Sequence, residues 1–475
     1  MTPIATSGEF PAATHEVWLE AVAEAIRGAK AIDQLARRTD DGIRVEPIVG
    51  RDRRPSPVAA RNNPRSWVIR TLHTSSDARS VRSAIGDDLA AGVTSVALQL
   101  ATPGQQGLPP KYEAIGAALK DVPLDRTGVC FSAGDQYFGI AQSLLALCEE
   151  AGMPSSAARG GIHADPVGTL ARTGALEAGL WPSLEILGQF AASNLDTWPH
   201  VRLLMANAGI YHDAGASEAQ ELAAMLATTV EYLRVMDFEG VGAARLFAHL
   251  TVTLAADCDL FLTIAKLRAA RLLLARLAAV CGAPGAERDL ELWVTTSERM
   301  LTRRTLHTNI LRNSIAGLGA AVGGADCITI RPHSAAVGVA DAGAHRLARN
   351  IQLLLLEESG IARVLDPAAG SGHVAAVTEA LAQRAWSLFQ DIEAKGGIAR
   401  MLLSGELQAV IAATAVNRQK EFLDGRRKLT GVGDPYEADE AVGWVAPIPI
   451  SAPILHAQTQ IPALPTRWLD EAPSA

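Results

Sequence analysis

Between Trp67 and Pro332 the chain repeats one unit eight times: a short run of β-branched and apolar residues, then a stretch with apolar residues at helical spacing. The runs are WVIRTLH (67–73), TSVALQL (94–100), GVCFSA (128–133), GGIHAD (160–165), VRLLMANA (201–208), FAHLTVTL (247–254), LELWVTT (290–296) and CITIRP (327–332). Strands joined through helices lie parallel, because each helix returns the chain to the same edge of the sheet. Eight such units predict an α/β fold in which the sheet closes into a (β/α)8 TIM barrel. The divisions are an N-terminal arm and linker over 1–60, the barrel over 61–370, C-terminal helices over 371–430 and an irregular, Pro-rich tail over 431–475.

Local signals sharpen several units. Ser217 and Gln220 form a capping box, which satisfies two backbone N–H groups at a helix start. Leu222, Met225, Leu226, Val230 and Leu233 follow at helical spacing and define one buried face. Asp341 is an N-cap for the eighth helix, with Leu347, Ile351, Leu354 and Leu355 as its core stripe. Glu357 and Glu358 fall at that helix's C-terminal end, where the macrodipole disfavours negative charge. A local partner such as Arg363 is expected there, and a structural role is preferred to a catalytic one.

Upstream, residues 12–38 read as an amphipathic helix with Val17, Leu19, Val22, Ala25, Ile26 and Leu35 as its apolar residues. The Pro/Arg-rich stretch RDRRPSPVAARNNPR follows, as an arm that packs on its own domain or on a partner. Beyond the barrel, Val374, Val377, Leu381, Ala385, Leu388 and Ile392 mark a helix, Gly396-Gly397 breaks it, and another helix lies near 405–423.

Composition narrows the function classes. A net charge of −8, with no dense Lys/Arg patch among aromatics, disfavours a nucleic-acid partner. The longest apolar stretches are broken by charge, as in KLRAARLLLARLAAV, so no membrane span is expected. The first thirty residues carry Glu9, Glu16, Glu20 and Glu24 without an apolar core, so no signal peptide is expected. Cys130, Cys148, Cys258, Cys281 and Cys327 are scattered in apolar runs without a CxxC pair. They read as buried, reduced thiols of a cytoplasmic protein. No cluster has metal-ligand spacing.

The stretch from Thr296 to Gly372 carries a closer signal. Thr296, Ser297, Leu301, Thr302, Asn309 and Arg312 fall without a gap on the pattern TSGWSLTxQDPxNNxxRT. Ala348, Arg349, Asn350, Gln352, Leu353, Glu357, Glu358, Ser359, Gly360, Val364, Asp366, Pro367, Gly370 and Ser371 fall on ARNxQLILQEESxxxxVxDPxxGS. Both patterns are those of the adenosylcobalamin-dependent acyl-CoA mutases, typified by methylmalonyl-CoA mutase, and the chain resembles that family. The resemblance implies a barrel whose axis takes the pantetheine of an acyl-CoA. It also implies cobalamin on a separate flavodoxin-like domain, ligated from a DxHxxG loop. These 475 residues contain no D-x-H-x-x-G, so that domain is expected to be absent and tight cobalamin binding by this chain is not expected.

The same resemblance locates the substrate positions. Catalytic members begin the first strand with RQYAGFSTAEESN; aligning LAAG at 89–92 places Arg70 on the arginine and Leu72 on the tyrosine. Leucine has no hydroxyl to offer a thioester or carboxylate. In the GYHMQEAG segment, aligning from Ala214-Gly215 places Ile210 on the catalytic histidine and His212 two residues further on. On extended backbone His212 would share that face, so Arg70 and His212 are the candidate substrate-binding residues and no catalytic residue is assigned. His163, His333 and the trio Lys266, Arg268 and Arg271 are weaker candidates. For the trio, a solvated helix face is preferred to a CoA phosphate site.

Three readings follow. The chain resembles, over roughly residues 10–435, the small (beta) subunits that pair with a large catalytic mutase subunit. It would then be a non-catalytic partner in a heterodimer that isomerises methylmalonyl-CoA to succinyl-CoA in propionate metabolism, with adenosylcobalamin held by the partner. The alternatives are a catalytic acyl-CoA-binding barrel of a split mutase, whose cobalamin domain is a separate chain, and a free-standing acyl-CoA-binding barrel.

Overall fold

The computed structural model describes residues 14–25, 35–49, 66–102, 105–132, 134–432 and 459–470. The linker expected at 51–65 lies outside them.

Eight parallel strands close a barrel: β1 (Val68–His73), β2 (Ser95–Gln99), β3 (Gly128–Ser132), β4 (Gly160–Ala164), β5 (Val201–Asn207), β6 (Leu250–Ala256), β7 (Glu291–Thr296) and β8 (Cys327–Thr329). Each pairs with its sequence neighbours, and β8 closes on β1 through Cys327↔Val68 and Ile328↔Ile69. Helices cover the outside and side chains fill the inside, so most strand residues are buried on both faces, which accounts for their near-continuous apolar character.

The sixth strand starts three residues later than its apolar run. Gly242 caps a short helix, Ala243–Ala248, that absorbs Phe247 and Ala248. The eighth ends at Thr329 because the Arg331 N–H turns to the Thr296 hydroxyl, 2.9 Å away, and Pro332 has no N–H to continue the ladder.

The capping box at Ser217–Gln220 and the Asp341 N-cap both form. The helix after Ser217, Glu218–Phe238, is buried on nearly every side rather than on one face. It lies between the barrel and the long helix Gly372–Ala394. In the eighth helix, Ala342–Leu353, the buried stripe is Ala344, Ala348, Gln352 and then Leu355, while Leu347 and Leu354 are exposed. Small residues let this helix approach the barrel closely, and a π-turn at Leu354–Glu358 shifts the phase. Glu357 and Glu358 remain exposed, and the expected Arg363 pairing is not formed. Among the cysteines, Cys281 is exposed rather than buried, and Cys258 is half-buried.

The helix expected over 12–38 does not reach its far end, and residues 26–34, Ile26 among them, lie outside the described residues. His15–Ala25 is helical with no buried residue, but Arg37–Arg38 and Arg44–Val45 form an antiparallel hairpin. The Thr39-Asp40-Asp41-Gly42 turn makes it: Gly42 adopts φ +75° and its N–H meets the Thr39 carbonyl at 2.9 Å. The hairpin is fastened to the body. Asp40 pairs with Arg418 and Arg427, and Asp41 accepts the Ser217 hydroxyl.

At the other end, residues 433–458 and 471–475 of the expected tail lie outside the described residues, and the described part, 459–470, is not wholly irregular. Thr459–Gln460 pairs antiparallel with Ala175–Leu176, and the residues after it cross the barrel mouth. No single described helix is long and apolar enough to cross a membrane.

Candidate functional site

A cavity of about 900 Å³ opens at the C-terminal ends of the barrel strands, the end where such barrels carry their chemistry. Leu72 and Thr74 reach it from β1 and the loop beyond, Asn207 from β5 and Thr295 from β7, while Met205 and Trp293 lie deeper in its wall. Ile210 lines it too, so both positions that resemble the family's tyrosine and histidine face one chamber.

His212 does not. Gly209–Asp213 is a helical turn rather than extended chain. Residues two apart on a helix point about 200° from each other, whereas residues three apart nearly align. Ile210 and Asp213 therefore both line the cavity, and His212 turns behind the wall. There it is fully buried, with Nε2 2.9 Å from Ser297 Oγ and Nδ1 3.2 Å from Glu221 Oε2. Glu221 also accepts the Lys266 ammonium at 2.5 Å and the Ala255 N–H at 2.7 Å. Burial alone would raise the Glu221 carboxyl, but Lys266 and His212 outweigh it and bring it down to about 2.

Lys266 is thus an interior residue, not part of a solvated face. Its neighbours on the helix behave alike: Arg268 meets Asp366 at 2.5 Å and Arg271 meets Asp326 at 2.9 Å. All three charges tie the helix to neighbouring segments, Lys266 to the helix Glu218–Phe238 and the two arginines to connecting loops, because a buried cation needs a carboxylate close by.

Arg70 is likewise inside the barrel and does not line the cavity. Its Nε donates to Ser95 Oγ at 2.8 Å, and its two terminal nitrogens reach the Glu291 carboxylate at 2.9 and 3.1 Å. The guanidinium stacks 4.6 Å from the Trp293 ring. His163 lies 5.6 Å from the same ring, with Nε2 3.1 Å from Thr251 Oγ1. Burial first, then the Arg70 charge, push the His163 imidazole down to about 3, so it is neutral at physiological pH. Its φ of +59° is the left-handed conformation, which bends the chain where the β4–β5 register shifts. His333 stacks on His307 at 5.9 Å rather than lining the chamber.

The chamber's charged groups are ones that sequence reasoning missed. Arg172, at the end of the helix Pro166–Thr173, borders the cavity with its Nε buried and without a hydrogen-bond partner. Arg331 lies 3.7 Å from both Asp213 and Glu298, and burial raises the Glu298 carboxyl. Arg172 could have been found from its place: it ends the short helix after the fourth strand, just before the helix-terminating Gly174.

Residues 56–452 match the family model described as methylmalonyl-CoA mutase. The chain belongs to the methylmalonyl-CoA mutase family. It is 40% identical over 453 residues to the methylmalonyl-CoA mutase small subunit of Streptomyces virginiae, covering 91% of this chain and 72% of that one. With the small subunit of Propionibacterium freudenreichii subsp. shermanii it shares 33% over 458 residues, 91% of this chain and 70% of that one. The large subunit from Streptomyces virginiae is 27% identical over 469 residues, 91% of this chain and 63% of that one. The chain is therefore more similar to these small subunits than to that large one.

This mutase family is cobalamin-dependent. Residues 463–466 and Trp468, as seated here, line the cavity mouth. His212 is committed to Ser297 and Glu221 inside the wall, and His345, which lines the cavity, stacks on His73 at 6.3 Å.

Proposed function

We propose that this chain is the non-catalytic barrel subunit of a heterodimeric methylmalonyl-CoA mutase, and that it stabilises a large subunit that holds adenosylcobalamin and performs the isomerisation. The observation that carries this reading is the filled barrel axis. Where a pantetheine would thread, the Arg70–Glu291 pair lies over Trp293 with His163 against the same ring. Clearing that path means separating a buried ion pair, which costs about 3–5 kcal/mol when one partner is left alone. Leu72 and Ile210 add that the mouth offers no hydrogen-bond donor at either position. Arg70 and His212 are read here as structural residues, since the Arg70 nitrogens are hydrogen-bonded within the barrel and the His212 ring lies between Ser297, 2.9 Å away, and the Glu221 carboxylate, 3.2 Å away.

A partner is supported by the arm. The helix His15–Ala25 buries none of its residues, and Val17 is 53% exposed. Burying each large aliphatic on a partner contributes about 1.5–3 kcal/mol. A cytoplasmic setting is proposed with it, in keeping with five cysteines of which none is paired.

The test is co-expression of the full chain with a large mutase subunit, followed by purification through a tag on either one. A 1:1 complex is expected, with methylmalonyl-CoA turnover in the complex and none from this chain supplied with adenosylcobalamin. Turnover by the chain alone would overturn the reading in favour of a split catalyst. Failure of the two to co-purify would remove the heterodimer.

A further inference from the structure

One wall of the cavity comes from the C-terminal tail rather than from the strand–helix units of the barrel. After the short pairing of Thr459–Gln460 with Ala175–Leu176, the Ile461 N–H donates to the Gly174 carbonyl at 2.8 Å. The Leu464 N–H then donates to Ala171 O at 2.9 Å, and the Arg467 N–H to Asp213 O at 2.9 Å. Leu464 is buried, and Trp468 carries the Arg303 guanidinium 4.2 Å from its ring. Asp470 accepts the Arg303 N–H at 2.6 Å. The seat is shaped for this segment: a Cβ on Gly174 would stand 2.5 Å from the Ile461 carbonyl oxygen.

These anchors rest on the ends of short elements and on loops, at 171–176, 213 and 303, and on two side chains of the helix Glu406–Leu423, where Gln408 donates to Pro462 O and Gln419 to Leu469 O, each at 3.3 Å. None of them reaches a barrel strand. A segment held at its margins, outside the main hydrogen-bond ladder, opens as a unit of its own before the protein unfolds. What it covers is the flank of the chamber that holds Ile210, Asp213 and Arg172, whose Nε has no hydrogen-bond partner.

We propose that residues 459–470 are a gating strap: seated, they close the Arg172 flank of the barrel cavity, and released, they open it without unfolding the barrel. The latch is the Arg303–Trp468–Asp470 contact, and Leu464 is the anchor. The inference stands on the chain's own contacts and does not depend on the partner reading above.

Two measurements on the full chain test it. The first is amide hydrogen exchange of the unmodified protein. The amides of Ile461, Leu464 and Arg467 should exchange together, at least about a hundredfold faster than those of β5 and β6. Exchange of all of them only through global unfolding would make the segment part of the core and overturn the proposal.

The second uses Ile210→Cys as a probe of the covered flank, with exposed Cys281 as internal reference. Iodoacetamide modification is read at each site by peptide mass spectrometry. Position 210 should react far more slowly than Cys281. Adding Leu464→Ser and Trp468→Ala should raise its rate at least about tenfold, with the circular dichroism spectrum unchanged. Equal rates at position 210 with and without the strap substitutions would overturn the proposal. If the triple variant fails to fold, the exchange measurement on the unmodified chain still decides the matter.

Discussion

Replacing Lys266 by methionine removes the charge that keeps Glu221 ionised in the interior. Both residues are fully buried, and the ammonium lies 2.5 Å from the carboxylate. Methionine retains most of the stem's volume, so the change isolates the charge from the packing. Removing one member of a buried pair leaves the other uncompensated, at about 3–5 kcal/mol. The titration gives a second measure. The folded Glu221 carboxyl falls from 4.5 to about 2, and at about 1.4 kcal/mol per pKa unit this corresponds to about 3 kcal/mol. His212 remains 3.2 Å from Glu221 in the variant, so the lower end of the range, about 3 kcal/mol, is expected.

The pH dependence makes the prediction specific. A carboxyl whose folded pKa lies below its unfolded value stabilises the protein above the unfolded pKa, and that contribution is lost as pH falls through the folded one. The parent therefore keeps it above about pH 4.5 and loses it toward pH 2. In Lys266→Met burial, the largest single cause, is opposed chiefly by His212, so the folded carboxyl should titrate above its unfolded value and the sign should reverse. The variant gains stability as pH falls and the carboxyl takes up a proton. Urea denaturation followed by tryptophan fluorescence at about pH 7.5 and pH 5 should show a wide gap at the first and a narrower one at the second. A gap below about 1 kcal/mol at the higher pH, or an equal gap at both, would refute the reasoning.

Arg70→Met should destabilise the barrel by about 3–5 kcal/mol, and adding Glu291→Gln should restore part of that loss, so a urea double-mutant cycle should return a coupling above about 1 kcal/mol. Leu72→Tyr with Ile210→His should yield no methylmalonyl-CoA isomerisation by this chain, because the filled axis remains; chromatography of the CoA esters checks it. Deleting residues 1–34 should weaken assembly with a large subunit at least about tenfold by analytical ultracentrifugation, while circular dichroism shows the barrel still folded. The deletion stops there because Asp40 and Asp41 are bonded to Arg418, Arg427 and Ser217.

The barrel was legible because its signal is both periodic and repeated. Eight apolar runs separated by helical patterns leave few topologies, and the runs stay apolar because both sides of each strand are buried. Caps were legible for a related reason: Ser217 with Gln220, and Asp341, act on backbone only three residues away. Errors began where packing at a distance decides. The pattern cannot tell a helix with one buried face from Glu218–Phe238, which a second helix covers from behind. Nor can it find the buried stripe of Ala342–Leu353, where alanines rather than leucines face inward. The hairpin at 37–45 was hidden for another reason. Its strands are two residues each, too short for any period, and only the Asp-Asp-Gly turn marks it.

At the mouth, the residues that hold the wall in place were the least visible, because their partners lie far off in sequence. Arg418 donates to the carbonyls of Gly215 and Ala216 and pairs with Asp40, 378 positions away. Arg299 donates to the carbonyls of His212 and Ala216 and faces Glu218 and Asp257. The loop from Gly209 to Ser217 is therefore held from the N-terminal hairpin, the seventh strand–helix unit and the C-terminal helix at once. A histidine placed in such a loop cannot swing toward the chamber without breaking charge-assisted bonds contributed by distant segments, each worth about 1.5–3 kcal/mol. That wiring, more than the two-residue offset from the family's histidine position, is what turns His212 from a substrate-facing group into a strut of the wall.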